Sequence, residues 1–364
     1  MISTQLNLDL DYTFSSLSVA EREKFSGSTI LITGAAGTMG FYFAHFFYKF
    51  RDALKLKKVI CLDNFILGKP AWIENIFDDP RLTFDKFDII SDKIENIPAA
   101  ADADFVLHMA SIASPTFYRK YPIETIDANV TGLRRLLEFY RGKNLRGFVF
   151  FSTSEIYGDP PADKVPTDEN YNGNVSCTGP RACYDESKRF GETLCKYFAQ
   201  EFNLPISVVR LFNAYGPGMK INDRRVVADF ASNILHGEDL TILSSGAPTR
   251  TFCHIADSAV GCLKTLLHGR YDFFNIGIDK PEISITRLAE IYRDAGREIF
   301  NYAGKINYAV SADKDYLTDN PQRRCPNGDK ARKILGFNPT IYVEEGVARF
   351  LQFIKENPKE NLQW

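Results

Sequence analysis

Apolar positions in the first two hundred residues follow two alternating patterns. Short runs rich in β-branched and aromatic residues, Thr29 to Thr33, Lys58 to Asp63, Leu82 to Phe87, Asp104 to Met109, Phe148 to Ser152 and Ile206 to Leu211, read as strands. Between them apolar residues recur at helical spacing near 38–50, 116–141 and 184–203, with shorter pieces near 70–77 and 91–97. Strand, helix, strand in repetition predicts an α/β fold on a doubly wound parallel sheet. After about Asn213 the rhythm changes. Helices near 223–236, 285–297 and 344–357 are separated by loops rich in Gly, Pro and Asp, which predicts a smaller lobe on the substrate side. Residues 1–26 precede the first strand and carry a helical patch near Val19 to Phe25, with no functional reading.

Composition narrows the partners. Lys plus Arg number 44 against 46 Asp plus Glu in 364 residues, a net charge of -2, so no basic field exists to hold nucleic acid or anionic lipid. Seven dispersed cysteines without a Cys-x-x-Cys pair read as reduced thiols rather than a disulfide framework or a metal site. The most apolar stretch, Phe41 to Tyr48, is followed by Lys49 and Arg51 and is far shorter than the roughly 20 residues of a membrane span. It predicts a buried helix. With no signal peptide visible at the polar N-terminus, the expectation is a cytoplasmic protein with neither a membrane nor a nucleic-acid partner.

The first strand runs into Gly34-Ala35-Ala36-Gly37-Thr38-Met39-Gly40 and then into a helix. Glycines there allow a tight turn and close approach to a pyrophosphate, which the helix N-terminus favours. Asp63 ends the second strand, where a carboxylate accepts hydrogen bonds from an adenosine ribose and repels a 2′-phosphate, so NAD is expected over NADP. Asn64 follows it, and Asp88 with Ile89 after the third strand could flank the adenine or simply form a turn.

Tyr184 and Lys188 stand four apart at the start of a helical run and share a face. A nearby ammonium favours phenolate, as a general base requires. With 17 tyrosines in the chain, chance alone gives about one such pair, so the spacing is weak by itself. Ser152-Thr153-Ser154-Glu155 strengthens it by following an apolar strand directly, because ligands of open parallel sheets bind beyond the strands' carboxyl ends. The long connection from Gly158 to Arg181, rich in Pro and Gly, reads as a wall of the site.

On these residues the chain resembles the extended short-chain dehydrogenase/reductase enzymes that modify nucleotide sugars, from about Thr29 to Phe353. The general motifs are the glycine loop, His108-Met109-Ala110-Ser111, Tyr184 with Lys188, and Arg210 to Pro217. Ser152 to Pro160 and Gly179 to Arg189 are similar to the UDP-glucuronate decarboxylases within that group, as is Asn320 to Pro326, which by register against its proline gives Arg324. The resemblance implies a Rossmann-type domain over 27–212 with a return segment at about 251–278, a substrate lobe from 213–250 and 279–364, and 1–26 as an extension. It implies NAD held by Gly34, Gly37, Thr38, Met39, Gly40, Asp63, Asn64, Asp88, Ile89, Ala110, Ser111, Asn129, Ser152, Tyr184 and Lys188. Catalysis would fall to Tyr184, Lys188, Thr153, Ser154, Glu155 and Arg324, with Ser152 or Thr153 bonding the reacting hydroxyl. Substrate binding would fall to Ser114, Glu155, Arg181, Asn213, Arg225, Arg250 and Arg324.

The implied reaction is NAD-dependent decarboxylation of UDP-glucuronate through a C4-keto intermediate, giving UDP-xylose or the 4-keto pentose nucleotide; a 4-epimerase or 4,6-dehydratase on the same fold is the alternative. Dehydratases of the group typically carry aspartate where Ser154 stands, which argues against dehydration. A homodimer is also implied, with the helices near 116–141 and 184–203 pairing through Leu133, Leu136, Leu137, Leu194 and Phe198, residues whose helical spacing equally suits a core.

Overall fold

The computed structural model describes residues 2–76 and 79–357. The six expected strands form within one residue of their predicted bounds: β1 (Thr29–Thr33), β2 (Lys58–Asp63), β3 (Leu82–Lys86), β4 (Phe105–His108), β5 (Gly147–Thr153) and β6 (Ile206–Leu211). A seventh, Asp272–Ile276, was not anticipated and joins β6 at the edge. The sheet runs Asp272–Ile276, β6, β5, β4, β1, β2, β3, with every pairing parallel. Both of its faces are covered, so β1, β4 and β5 are buried at every position and read as unbroken apolar runs. The chain moves outward from β1 to β3 and returns to β4 on the other side of β1. That reversal opens a crevice beyond the carboxyl ends of β1 and β4.

Helices Thr38–Phe50 and Ile255–Leu266 pack one face, while Leu133–Tyr140 and Ala182–Phe202 pack the other. The predicted helix over 116–141 is broken. Pro115–Lys120 and Pro122–Asp127 are separate helices, followed by a π-turn at Ala128–Gly132 and then Leu133–Tyr140. Pro122 has no N–H to continue the first helix, and Tyr121 leaves helical geometry at φ -125° and ψ 61°. The expected helix at 91–97 shrinks to one tight turn, Ile94–Asn96, ahead of Pro98. The piece expected at 70–77 is helical at Ile73–Ile76, and its last residue lies outside the described ones.

The N-terminal segment is tied into the body. Helix Thr4–Ser15, unforeseen in the sequence, puts Leu6 and Leu10 into the main core, joined by Leu17 and Phe25. The Tyr12 hydroxyl donates to Asp257 at 2.5 Å, Thr13 bonds Tyr42 at 2.7 Å, and the Arg349 guanidinium donates to the fully buried Asp9 at 2.8 Å. At the other end, Thr249–Arg250 pairs with Ile283–Ser284 and with Arg323–Arg324, which sets Arg324 beside Arg250 in register. All seven cysteines are free thiols, and no helix among the described residues is long and apolar enough to cross a membrane.

Candidate active site

A cavity of about 470 Å³ occupies the crevice. Its floor is the glycine loop. Gly34 adopts φ +73°, and a Cβ there would lie 2.6 Å from the Met109 carbonyl carbon; at Gly40 it would lie 2.4 Å from the Ala35 oxygen. Both positions therefore exclude a side chain, and Gly37 caps helix Thr38–Phe50, whose first residues Thr38, Met39 and Gly40 line the cavity. Asp63 closes β2, where Oδ2 accepts from Ala36 N–H at 3.0 Å and Oδ1 from Phe65 N–H at 2.8 Å. Burial raises its pKa against those two bonds. The Ser111 hydroxyl, buried in the cavity wall, has no hydrogen-bond partner among the described residues. An extended dinucleotide fits this cradle, with amides for phosphate, a carboxylate for ribose and an open hydroxyl beyond.

Most of the residues singled out in the sequence line this cavity, including Gly37, Thr38, Met39, Asn64, Ile89, Ala110, Ser152, Ser154 and Lys188. Asp88 and Asn129 do not. The Asp88 carboxylate turns back to accept from Ile90 N–H, closing a turn at 2.9 Å. Asn129 is buried behind the site, where Nδ2 donates to Ser187 Oγ at 2.9 Å and braces the helix that carries Tyr184. Ser114 lines the cavity, but its hydroxyl donates to Asp223 O at 2.8 Å.

Tyr184 and Lys188 share the inner face of helix Ala182–Phe202. Burial raises the Tyr184 pKa, opposed by a hydrogen bond from Thr153 and by the Arg225 charge. The depression expected from Lys188 is therefore not what sets Tyr184 here, because burial outweighs it. Burial instead lowers Lys188 to about 7, and its ammonium donates to Phe151 O at 2.7 Å. Ser152 donates to Glu192 at 2.6 Å, and Glu192 in turn grips Arg210 at 2.7 Å. Of the two hydroxyls considered in the sequence, Thr153 is the one that acts on Tyr184, while Ser152 is committed to Glu192.

Glu155, on the turn after β5, is the electrostatic centre. Arg324 grips it through both guanidinium nitrogens, one at 2.6 Å to Oε2, and Arg181 donates to the same oxygen. Although burial opposes ionisation, Arg181 and Arg324 together hold Glu155 down at about 2. Arg324 is 7% exposed and pairs with neither Asp319 nor Asp329. Arg250, its neighbour across the strand pair, bonds Thr249 O, Gln322 O, Asn320 Oδ1 and Pro321 O. Much of its guanidinium thus holds the segment that delivers Arg324. Arg225 faces the cavity paired to Asp223 at 2.5 Å, and Asn213, at φ 43°, donates to Thr251 O at 2.8 Å.

Three wall elements escaped the sequence reading. Lys220 crosses from the loop after Asn213 to Leu67 O at 3.1 Å, Tyr118 stacks on Tyr184, and Asp315 to Leu317 lie along the outer rim. Only Tyr118 had a usable signal, since it follows the strand-end motif His108 to Ser111 into the first helix on that side.

Residues 30–277 match the NAD dependent epimerase/dehydratase family. UDP-glucuronic acid decarboxylase 5 of Arabidopsis thaliana is 34% identical over 322 residues, 88% of each chain. Among solved structures, UDP-glucose 4-epimerase of Thermotoga maritima aligns with TM-score 0.76 at 26% identity, covering 90% of this chain and 98% of that one. UDP-glucuronic acid 4-epimerase of Bacillus cereus, in complex with UDP-glucuronic acid and NAD, aligns with TM-score 0.71 at 25% identity, covering 90% and 99%.

Proposed function

The chain belongs to the NAD dependent epimerase/dehydratase family and is an NAD-dependent enzyme, and from that premise we propose that it decarboxylates UDP-glucuronate through a C4-keto intermediate. The product is UDP-xylose or the 4-keto pentose nucleotide. The observation that carries this reading is the buried pairing of Arg324 with Glu155 in the cavity wall. A guanidinium fork suits a carboxylate, and two arginines facing one glutamate leave a positive charge for the carboxylate of a uronic acid.

The chemistry that NAD+ would supply when bound is a hydride acceptor for C4. Gly34, Gly37 to Gly40, Asp63 and Ser111 would hold it. Tyr184, whose phenol Thr153 draws toward ionisation, would take the C4 hydroxyl proton, with Lys188 supplying positive charge. A carboxylate β to the resulting ketone loses CO2 readily because the electrons enter the carbonyl as an enolate. Glu155, Ser154 and Arg324 would orient that carboxylate and govern protonation. Arg181, Asn213, Arg225 and Arg250, on or facing the lobe of 213–250 and 279–364, would bind the sugar nucleotide, with Ser114 supporting their loop. A homodimer is part of the same reading.

The second reading is 4-epimerisation of the same uronate, favoured by the likeness to the Bacillus cereus enzyme. One assay separates them. CO2 release from UDP-glucuronate with NAD+ is expected; conversion to the C4 epimer without CO2 would overturn decarboxylation. Arg324→Lys and Arg324→Ala should keep the fold and NAD affinity and each lose CO2 release by about 10²-fold or more in a single turnover. Unchanged release in both would remove Arg324 from the site.

A further inference from the structure

Behind the pair of Glu155 and Arg324 lies a second acid that the proposed mechanism leaves unused. Asp185 follows Tyr184 in the first turn of its helix and is 4% exposed. Its Oδ2 lies 3.7 Å from Arg181 Nε, and Arg181 reaches Glu155 with its other end. Among the described residues, three buried polar atoms associated with this cluster have no hydrogen-bond partner: Asp185 Oδ1, Arg181 Nε and the Tyr118 hydroxyl. Tyr118 comes from helix Pro115–Lys120 and stacks on Tyr184 with ring centroids 5.0 Å apart and planes within 6°. It forms part of the cavity wall and feels the charges of Arg181, Glu155 and Asp185. Buried polar atoms are nearly always bonded. An acid, a guanidinium N–H and a phenol left open in one cluster mark a place for a bridging water.

The two acids of this corner differ in charge. Burial, then the Glu155 charge, raise Asp185 to about 8 against Arg181 and Arg324, and Asp319 on the outer segment adds to the rise. Arg250, lowered to about 9 chiefly by burial and then by Arg324, and Arg225, which feels the charge of Glu155, are further cations of the group. At neutral pH Asp185 therefore holds a proton while Glu155 does not.

Decarboxylation needs such a proton. Departure of CO2 breaks the C5–C6 bond and leaves its electron pair in an enolate over C5, C4 and O4. The proton that Tyr184 removes belongs to the C4 hydroxyl, so C5 requires another. Resting on the decarboxylation reading, we propose that Asp185 stores the proton destined for C5 and that Tyr118 passes it into the cavity. The Asp185 O–H bond breaks as its proton moves to one bridging water, which passes one of its own protons to the Tyr118 oxygen. The Tyr118 O–H bond breaks as the enolate pair forms C5–H. Asp185, left as carboxylate, regains a proton from solvent, and no oxidant or reductant is consumed.

The test follows wild type, Asp185→Asn and Tyr118→Phe with UDP-glucuronate and NAD+ across the neutral and alkaline range, reading CO2 release in one turnover and formation of the C5-protonated product separately. In wild type, product formation should fall as the pH rises through about 8, where Asp185 ionises. Asp185→Asn should release CO2 within about threefold of wild type, form product about tenfold or more slowly, and lose that alkaline fall, with Asp185→Glu restoring part of both. Tyr118→Phe keeps the stacked ring and should show the same slow product formation, which carries the test if Asp185→Asn does not fold. NAD titration of each variant checks that the cradle is intact. Product formation and an alkaline fall unchanged in the folded Asn variant, or an unchanged rate in Tyr118→Phe, would overturn the relay while leaving decarboxylation standing. A wild type that releases no CO2 would overturn both.

Discussion

Two residues in the site are pushed toward their neutral forms because water is excluded. Burial lowers Lys188 to about 7, and it raises Tyr184. In isolation this pair is a poor base, and it needs the positive charge of an oxidised cofactor to favour phenolate. Tyr184→Phe should consequently leave NAD binding nearly unchanged while lowering turnover by about 10²-fold or more, since it removes a base and one hydrogen bond. Near wild-type turnover would mean that another group takes the proton. Asp63 bears on cofactor choice in the same local way. Its oxygens already accept Ala36 and Phe65 amides, so a 2′-phosphate would meet a fixed anion. Calorimetric titration should give NAD(H) clearly tighter than NADP(H), and the reverse preference would refute the role of Asp63.

Among the elements, helix Thr4–Ser15 carries a cost inside its own core contact. Burial raises Asp9 to about 6 despite the hydrogen bond and charge of Arg349. A carboxyl whose folded pKa lies above its unfolded one favours the folded state fully at low pH, and that contribution is lost as the pH rises from about 4 through about 6. The difference corresponds to roughly 3 kcal/mol. Asp9→Asn should therefore flatten the pH dependence of the thermal midpoint over that window, and a slope identical to wild type would show that Asp9 does not titrate there. The broken helix over 116–127 shows how an element depends on single residues. Pro122 ends one helix and begins the next, and Tyr118, in the first of the two, stacks on Tyr184.

For the whole molecule, the face proposed for self-association changes once burial is known. Leu133, Leu136 and Leu137 are at most 1% exposed and pack in the chain's own core, with Leu194 and Phe198 against the same cluster. What helices Pro122–Asp127 and Ala182–Phe202 offer outward is Ile123, Ile126, Phe190 and Tyr197. A dimer through that face is the expected outcome: by light scattering wild type should have the mass of a dimer and Phe190→Glu with Tyr197→Glu that of a monomer; a monomeric wild type would refute the assembly, and an unchanged dimer mass in the variant would place the interface elsewhere. Much of the rest was legible in the chain. Strands buried on both faces appear as continuous apolar runs, and Gly34 and Asp63 stand out through backbone geometry and strand ends, so six strands and the glycine loop after β1 followed from local pattern. Strand Asp272–Ile276 was missed because Asn275 interrupts its apolar run, and that residue is buried only because Tyr157 donates to its oxygen at 2.7 Å and its amide donates to Thr167 O at 2.9 Å. Helix Thr4–Ser15 was missed because it buries Asp9, a residue no hydrophobic period would place inside. The pairing of Glu155 with Arg324 joins residues 169 positions apart, as the stacking of Tyr118 on Tyr184 joins two distant helices. The sequence by itself determined which residue types stand at strand ends and turns, because those follow from backbone geometry within a few residues; only the tertiary structure decided which charges face one another, because burial and partnership are set by chain segments far apart.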